Sequence, residues 1–543
     1  MRFYLILTLL LTSGWRLFAQ QPAFTWGRAV GGTGEDVLRG IGNDAQGNTY
    51  LTGTFERTLS LGSTSVASVG ATDIVLAKLT RAGHVRWVRA FGSPGFDYTF
   101  DLDSDASGNL YVTGAFRSGF TLGGQTYTSR GSADLFTAKF DSAGSVQWVR
   151  TGGGTAFDSG NEVAVSPAGA VLVIGNYYGP MQLGTVALPH QDSSEVLVAK
   201  YSDAGQLQWV NTLTGPGHAQ GRGISADAQD NVVVTGEFTG TLQVGNVTLV
   251  NPSTTTRDVF VAKYTPGGQL LWARRYGGPG EDYGRGVDCD AQGNLYCSGV
   301  FTGALAVDAL GLSSTAGSRD LYLLKLDPGG AATWARQFGG PGSDEGCEIE
   351  VDAGSGAAYL SGGFSATAAF GFVSLTAVGQ RDIVALKVDR TGAVQWARAS
   401  GGAADDVAYA LCLDRSREEL TAVGTFTGTF RQDQTTFSSA GGVDSYVSRL
   451  GPITLTATQP AVPAMAFQAF PNPIAAGQPL HLRLPAAVGG TYVLLDGLGQ
   501  VRATGALTGT EPLVSTTGLG AGMYVLCLAR PGWVAERRVI VVQ

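Results

Sequence analysis

Apolar runs of five to seven residues, rich in Val, Leu, Tyr and Thr and closed off by Gly, Asn and Asp, recur from Phe24 to Leu450. Short runs with such boundaries predict β-strands. Many are apolar at successive positions instead of alternating, as expected where a sheet has neighbours on both faces. The runs keep one order. A Trp-bearing strand leads into a glycine turn ending in an acid, such as GGTGED (31–36) or GGPGED (277–282). Then come a first strand, a DAQGN or DASGN turn (44–48, 105–109, 290–294), a second strand and a variable loop. A third strand opens on an acid and closes on lysine, and a glycine turn returns to the next Trp strand. In the DxxGN turns the Asp side chain can accept from backbone N–H groups two residues on, and Gly-Asn tolerates positive φ, which predicts hairpins.

Tryptophan sets the period: Trp26, Trp87, Trp148, Trp209, Trp272, Trp334 and Trp396 are 61, 61, 61, 63, 62 and 62 residues apart. All six lysines (Lys78, Lys139, Lys200, Lys263, Lys325, Lys387) close the acid-to-lysine strand, and a seventh copy from Asp444 ends in Arg449. Self-similarity at a fixed period decides the fold. Four antiparallel strands per unit, seven times over, describe the blades of a β-propeller. Trp26 lies on a lone strand, Phe24–Val30, ahead of the first full unit, whereas the seventh unit ends at its third strand, Asp444–Leu450. Inserting the first strand into the last unit closes the ring and removes two exposed edges. The expectation is an all-β chain: a seven-bladed β-propeller over residues 22–450, then a small C-terminal β-sandwich.

Charge narrows the partners. Among 543 residues only 15% are charged and the net charge is −8, so nothing in the electrostatics favours a nucleic-acid or anionic-membrane partner. Met1–Ala19 reads as a secretory signal peptide, too short in its apolar stretch to span a bilayer, and no later segment is apolar enough. The mature chain is expected to leave the cytoplasm without a transmembrane segment. The five cysteines form no CxxC pair; Cys289 and Cys297 flank one hairpin diagonally, a poor placement for a disulfide. Residues 451–466 read as a Pro/Thr/Ala linker, and 467–543 as a separate domain of short strands.

The repeat resembles the SBBP-type β-propeller repeat. GSPGFD with DASGNLYVTG (92–114) and GGPGED with DAQGNLYCSG (277–299) match its pattern almost fully, and unit three departs most, with Ser166 and Ala170 in place of Asp and Asn. That resemblance implies a fold and secretion but no established activity. The tail is similar to the type A C-terminal sorting domain of the type IX secretion system. The matching elements are Pro471, Asn472 and Pro473, then Asp496 and Gly499, then Gly522 and Tyr524, and a final basic, β-branched strand. This resemblance implies the type IX machinery as partner, and display outside a Gram-negative cell or on its outer membrane. An ordinary small β-sandwich acting as a binding module is the alternative.

Catalytic chemistry is sparse. His84, His190, His218 and His481 occupy different repeat positions, and no HxH, HExxH, paired-Cys or GxSxG spacing occurs. DSDASGN (103–109) and DCDAQGN (288–294) begin like calcium loops, but Gly114 and Gly299 stand where the bidentate Glu belongs. No cofactor or metal is expected. The glycine-turn acids Asp36, Asp97, Asp158, Asp282, Asp344 and Asp406, with Gln220 in unit four, leave two readings. They ring one mouth of a central channel and can hold a cation, or each accepts hydrogen bonds from its own turn; turn chemistry favours the second. The lysine row reads as structural, each ammonium reaching hairpin carbonyls or the hairpin Asp in exposed pairs. The Ser/Thr/Gly-rich loops between second and third strands suit adaptable surface contacts. The functional expectation is a non-enzymatic, surface-displayed protein with a binding, adhesion or structural role, its ligand a glycan or a protein. The alternatives are a passive spacer, and a secreted polysaccharide-acting hydrolase or lyase hinted at by Tyr177, Tyr178, His190 and His218.

Overall fold

The computed structural model describes residues 22–191, 193–451, 468–484, 490–495, 501–507, 509, 511–530 and 533–542. The signal peptide reading, all but the first residue of the linker, and Asp496 and Gly499 lie outside the described residues. The chain divides into two compact units, 1–454 and 455–543. Among the described residues the regular structure is strand, apart from one 3-10 turn at Thr315–Gly317, and no helix is long and apolar enough to cross a membrane.

In the N-terminal unit the chain lays down four-stranded antiparallel meanders. The first joins Asp36–Asn43, Thr49–Phe55, Asp73–Leu79 and Val85–Phe91. Five more follow, with first strands Tyr98–Ser104, Asp158–Val165, Ala219–Ala226, Asp282–Cys289 and Glu345–Asp352. A seventh set, Val407–Asp414, Glu419–Gln432 and Thr435–Leu450, takes its fourth strand from the other end of the chain. Phe24–Gly32 pairs with Thr435–Leu450, Trp26 opposite Arg449. The first strands touch one another in succession, and the seventh touches the first. They do so by side chains, for no hydrogen-bonded sheet closes on itself. The fold is propeller-like and nearly all β.

Burial explains the unbroken apolar runs. The second strands Thr49–Phe55, Leu110–Phe116 and Val171–Tyr177 are buried at every residue. Each core lies between units: Tyr50, Ile74 and Leu76 of unit one pack with Leu102, Leu110 and Phe136 of unit two. Each such side chain removed from water stabilises the stack by about 1.5–3 kcal/mol.

The Trp ruler has the same origin. Trp26, Trp148 and Trp334 donate Nε1–H to Arg81, Asp203 and Arg390 carbonyls in the next unit, at 2.8, 2.9 and 3.2 Å. The Trp26 ring lies on Gly83, whose φ of 75° and missing Cβ both serve the contact.

The variable loops are not simply solvated. Each folds into a short hairpin, and several reach back to the fourth strand of the preceding unit, as in Gly152 opposite Leu183, Leu213 opposite Val244 and Gly31 opposite Ser60. Cys289 and Cys297 are buried, free thiols.

The C-terminal unit has a three-stranded sheet (Gln468–Phe470, Leu480–Arg483, Leu513–Val514) and a five-stranded one (Ile474–Ala475, Gly490–Leu495, Val501–Leu507, Gly522–Arg530, Trp533–Val542). Leu480, Leu482, Leu494, Leu526, Leu528 and Val541 share one apolar core.

Candidate ligand site at the first-strand bulges

The glycine-turn acids are interior residues. Asp36, Asp97, Asp158, Asp282, Asp344 and Asp406 are each 0% exposed. Backbone N–H groups of their own turns bond them: Gly32 to Asp36 at 2.6 Å, Gly154 to Asp158 and Gly278 to Asp282 at 2.7 Å, Gly340 to Asp344 at 2.8 Å. A carboxylate ring open to a channel is therefore not what these residues build. Burial pushes Asp36, Asp282, Asp344 and Asp406 up to about 7 and Asp158 to about 6, reinforced by the third-strand Asp of the preceding unit. The unit-four position also needs correcting. Ala219, opposite Phe238, takes the place that Asp282 holds opposite Phe301, and Gln220 is one residue further on. Counting from Gly215 in place of the acid finds Ala219.

The lysines form ion pairs in every unit that carries one; four of the six pairs are largely buried, whereas Asp203 and Glu418, the partners of Lys139 and Lys387, are exposed. Lys263 and Asp227 meet at 2.8 Å with side chains 4% and 1% exposed. Lys78 and Lys325 reach Asp44 and Asp290, the hairpin acids of their own units, at 3.5 and 3.2 Å. In unit three, where Ser166 replaces the acid, Lys200 takes Asp230 of the next unit at 2.5 Å. Arg449 is buried and donates to Thr49 Oγ1 and the Gly47 carbonyl at 2.7 and 3.0 Å, stitching unit seven to unit one.

Tyr177, Tyr178, His190 and His218 make separate contacts about units three and four. His190 Nδ1 lies 3.3 Å from Glu195 beside the Tyr177 ring, inside the junction of units three and four. Tyr178 is 37% exposed and faces Phe157 and Gln220. Burial holds the His218 imidazole below its ordinary range. In the tail, Pro471, Asn472 and Pro473 are exposed, Gly522 opens a strand, and buried Tyr524 donates to the Gly520 carbonyl at 2.9 Å.

The candidate site residues that the repeat pattern does not reveal sit on the first strands. Every first strand carries a bulge at the same place, so that its extra residue is Arg39, Phe100, Asn161, Arg222, Arg285 or Tyr409; in unit six the irregularity spans Cys347 and Glu348. Bulges re-aim side chains, and here they re-aim an arginine in units one, four and five and Phe, Asn or Tyr in units two, three and seven. Glycine stands beside the bulged residue in units one, three, four and five, where neighbouring first strands pass close. A Cβ on Gly40 would collide with the Leu102 backbone nitrogen.

Next to the bulges lies an acidic throat of Asp101, Asp103, Glu162, Asp288, Glu348 and Glu350. Burial pushes all six carboxyls up, and mutual repulsion adds to it. That repulsion includes Asp101 of unit two on Glu348 of unit six, although those units are not adjacent. Several are also spent on the neighbouring strand: Asp101 accepts from Val163 N–H at 3.0 Å, Asp103 from Val165 at 2.7 Å, Asp288 from Val351 at 2.7 Å. Edge strands too splayed to pair directly are bridged by side chains instead. Arg415 caps the throat, 3.0 Å from Glu350. No group of three or more His, Cys, Asp or Glu among the described residues has the arrangement to hold a metal ion. The sequence signal was alternation of acids with apolar residues in DLDSD (101–105), VDCD (287–290) and EIEVD (348–352).

No family model matches the chain. Over 278 residues, 43% of its length, it is 23% identical to an uncharacterized WD repeat-containing protein of Acanthamoeba polyphaga mimivirus. The chain spans about a fifth of the length of that curated relative, 20% of it. Similar solved structures include a fungal alcohol oxidase in complex with copper (10% identity, 96% of this chain and 100% of that one, TM-score 0.39) and a puromycin hydrolase (13%, 83% and 58%, 0.39). An apocarotenoid oxygenase of Synechocystis is similar at 13% identity over 79% and 97%, with a TM-score of 0.37. Likeness at this level carries no activity to this chain. The chain is a propeller-like repeat protein with a WD-repeat relative.

Proposed function

We propose that the seven units are the blades of a seven-bladed, SBBP-type propeller, and that the mature chain is a binding module displayed outside the cell. In this reading residues 467–543 are a β-sandwich sorting domain that engages the type IX secretion machinery. The ligand sits on the bulge ring. One observation carries the binding role: the scaffold positions repeat, while the bulged residue on each first strand changes in chemistry from Arg to Phe, Asn and Tyr. A scaffold without a ligand has no use for six re-aimed side chains at one level, three of them arginine and three of other chemistry. The throat acids favour binding over hydrolysis, since several already accept backbone N–H groups.

The test is a screen of the purified full chain on glycan and protein arrays, repeated with Tyr409→Ala. A captured ligand that Tyr409→Ala releases supports the reading. Capture that ignores the substitution, or cleavage of the captured glycan, would overturn it. For the tail, a chain ending at Gly451 should accumulate inside the producing bacterium; its efficient appearance on the surface would remove the sorting role.

A further inference from the structure

We infer that the bulge ring binds a carboxylated glycan, a uronate-bearing chain, on a ladder of aromatic rings and guanidinium groups; this deepens the binding role proposed above. The ladder starts at Phe96, which is 41% exposed. Phe96 stacks on Tyr98 at 6.4 Å and 7°, and Tyr98 on Phe100 at 6.1 Å and 18°. The Arg39 guanidinium continues it, 6.0 Å from the Phe100 ring and 4.6 Å from Tyr409. Three neighbouring units thus contribute to one surface, and no other part of the repeat carries its like among the described residues.

Two properties select the ligand. Arg39 is held by rings alone: among the described residues it has no ion-pair partner, and neither has Arg285, which lies 5.3 Å over Tyr283 at the equivalent bulge. Arg222, the third bulge arginine, is by contrast neutralised by Glu237 at 3.0 Å. A half-buried guanidinium held beside aromatic rings, with no ion pair among the described residues, presents a fork to a planar carboxylate. The rings beside it offer flat apolar area at little entropic cost, which suits the C–H faces of a sugar ring and not the irregular side chains of an acidic peptide.

The experiment uses the full chain and three uronate polymers, polygalacturonate, alginate and hyaluronate, each also as its methyl ester. At least one free acid should bind, at least tenfold more tightly than its ester, and more weakly as salt is raised. Arg39→Gln and Phe100→Ala should each weaken it at least tenfold, and Arg39→Lys should not restore it, because an ammonium keeps the charge but not the planar stack. Arg285→Gln provides a second variant remote from the ladder, expected to cost three- to tenfold. Equal binding of acid and ester, equal binding of polyglutamate, or binding by none of the three polymers would overturn the inference. If another ligand still depends on Arg39, only the glycan assignment falls; if no ligand of any class does, the binding role falls with it.

Discussion

Six of the seven inter-unit junctions set two aspartates against each other, and one does not. At the six, a third-strand Asp faces the glycine-turn Asp of the next unit: Asp444 with Asp36, Asp73 with Asp97, Asp134 with Asp158, Asp258 with Asp282, Asp320 with Asp344, Asp382 with Asp406. Between units three and four the third-strand acid is Glu195, the facing position is Ala219, and His190 comes in at 3.3 Å. A further change accompanies these. The first glycine of the turn, against which the Asp carboxyl packs at the other junctions (Gly31 against Asp444, Gly153 against Asp134), is Thr214 here. Burial and the facing aspartate together push the glycine-turn carboxyls up at the aspartate junctions, whereas at the seventh an imidazole stands beside the acid in place of a second carboxyl. Junction chemistry is thus a matched set, and the difference teaches that an aspartate junction cannot take the larger residue of the seventh junction on its own.

Putting Thr214's residue type into an aspartate junction tests this most severely. Gly31→Thr drives a side chain into the Asp444 carboxyl and should cost about 3 kcal/mol, read as a lowered denaturation midpoint. The reverse change, Thr214→Gly, should cost under about 1 kcal/mol. Similar losses in both directions would dissolve the distinction.

Next in size is His190→Ala, which leaves Glu195 buried without its partner and should destabilise by about 2 kcal/mol. Adding Glu195→Gln should recover most of that loss. A double variant as unstable as the single one would remove the pairing argument.

The aspartate junctions also set a pH dependence. Their folded-state carboxyls are raised to about 6–7 from an ordinary 3.8, so between those values the folded chain holds protons that the unfolded chain has lost. Stability from this source is fully present below about pH 4 and falls as pH rises to about 7. His218, held low, works the other way between its folded value and 6.5, but it is one group against these five, Asp97 and the six throat carboxyls, all raised. Thermal midpoints should therefore be higher at pH 5 than at pH 8. Asp282→Asn, which keeps an acceptor for Gly278 and gains a donor for Asp258, should narrow the gap by about 1 kcal/mol. A midpoint rising from pH 5 to pH 8 would contradict these raised carboxyls.

The smallest effect is expected at the far ends of the units. Lys387→Met should change stability by less than about 0.5 kcal/mol, since its partner Glu418 is 3.8 Å away and 63% exposed. A loss above 1 kcal/mol would place that pair with the buried Lys263–Asp227 pair instead.

The sequence by itself determined the all-β repeat, because strand length, turn chemistry and period are local properties repeated seven times. It showed that Trp26 stood on a strand without a unit and that unit seven lacked one, since both are visible by counting. It showed the turn Asp too, and Asp44 does accept from Gln46 and Asn48 as such a turn requires. What only the tertiary structure decided is which residues meet across units. The bulge that turns Arg39 toward Tyr409 and Phe100 depends on register against a partner strand, which no local pattern encodes. Likewise the throat joins acids from four first strands of units two, three, five and six, up to about 250 residues apart in sequence. Repetition makes a scaffold legible in one dimension, and the places where it breaks acquire meaning only when seven strands are brought to one axis.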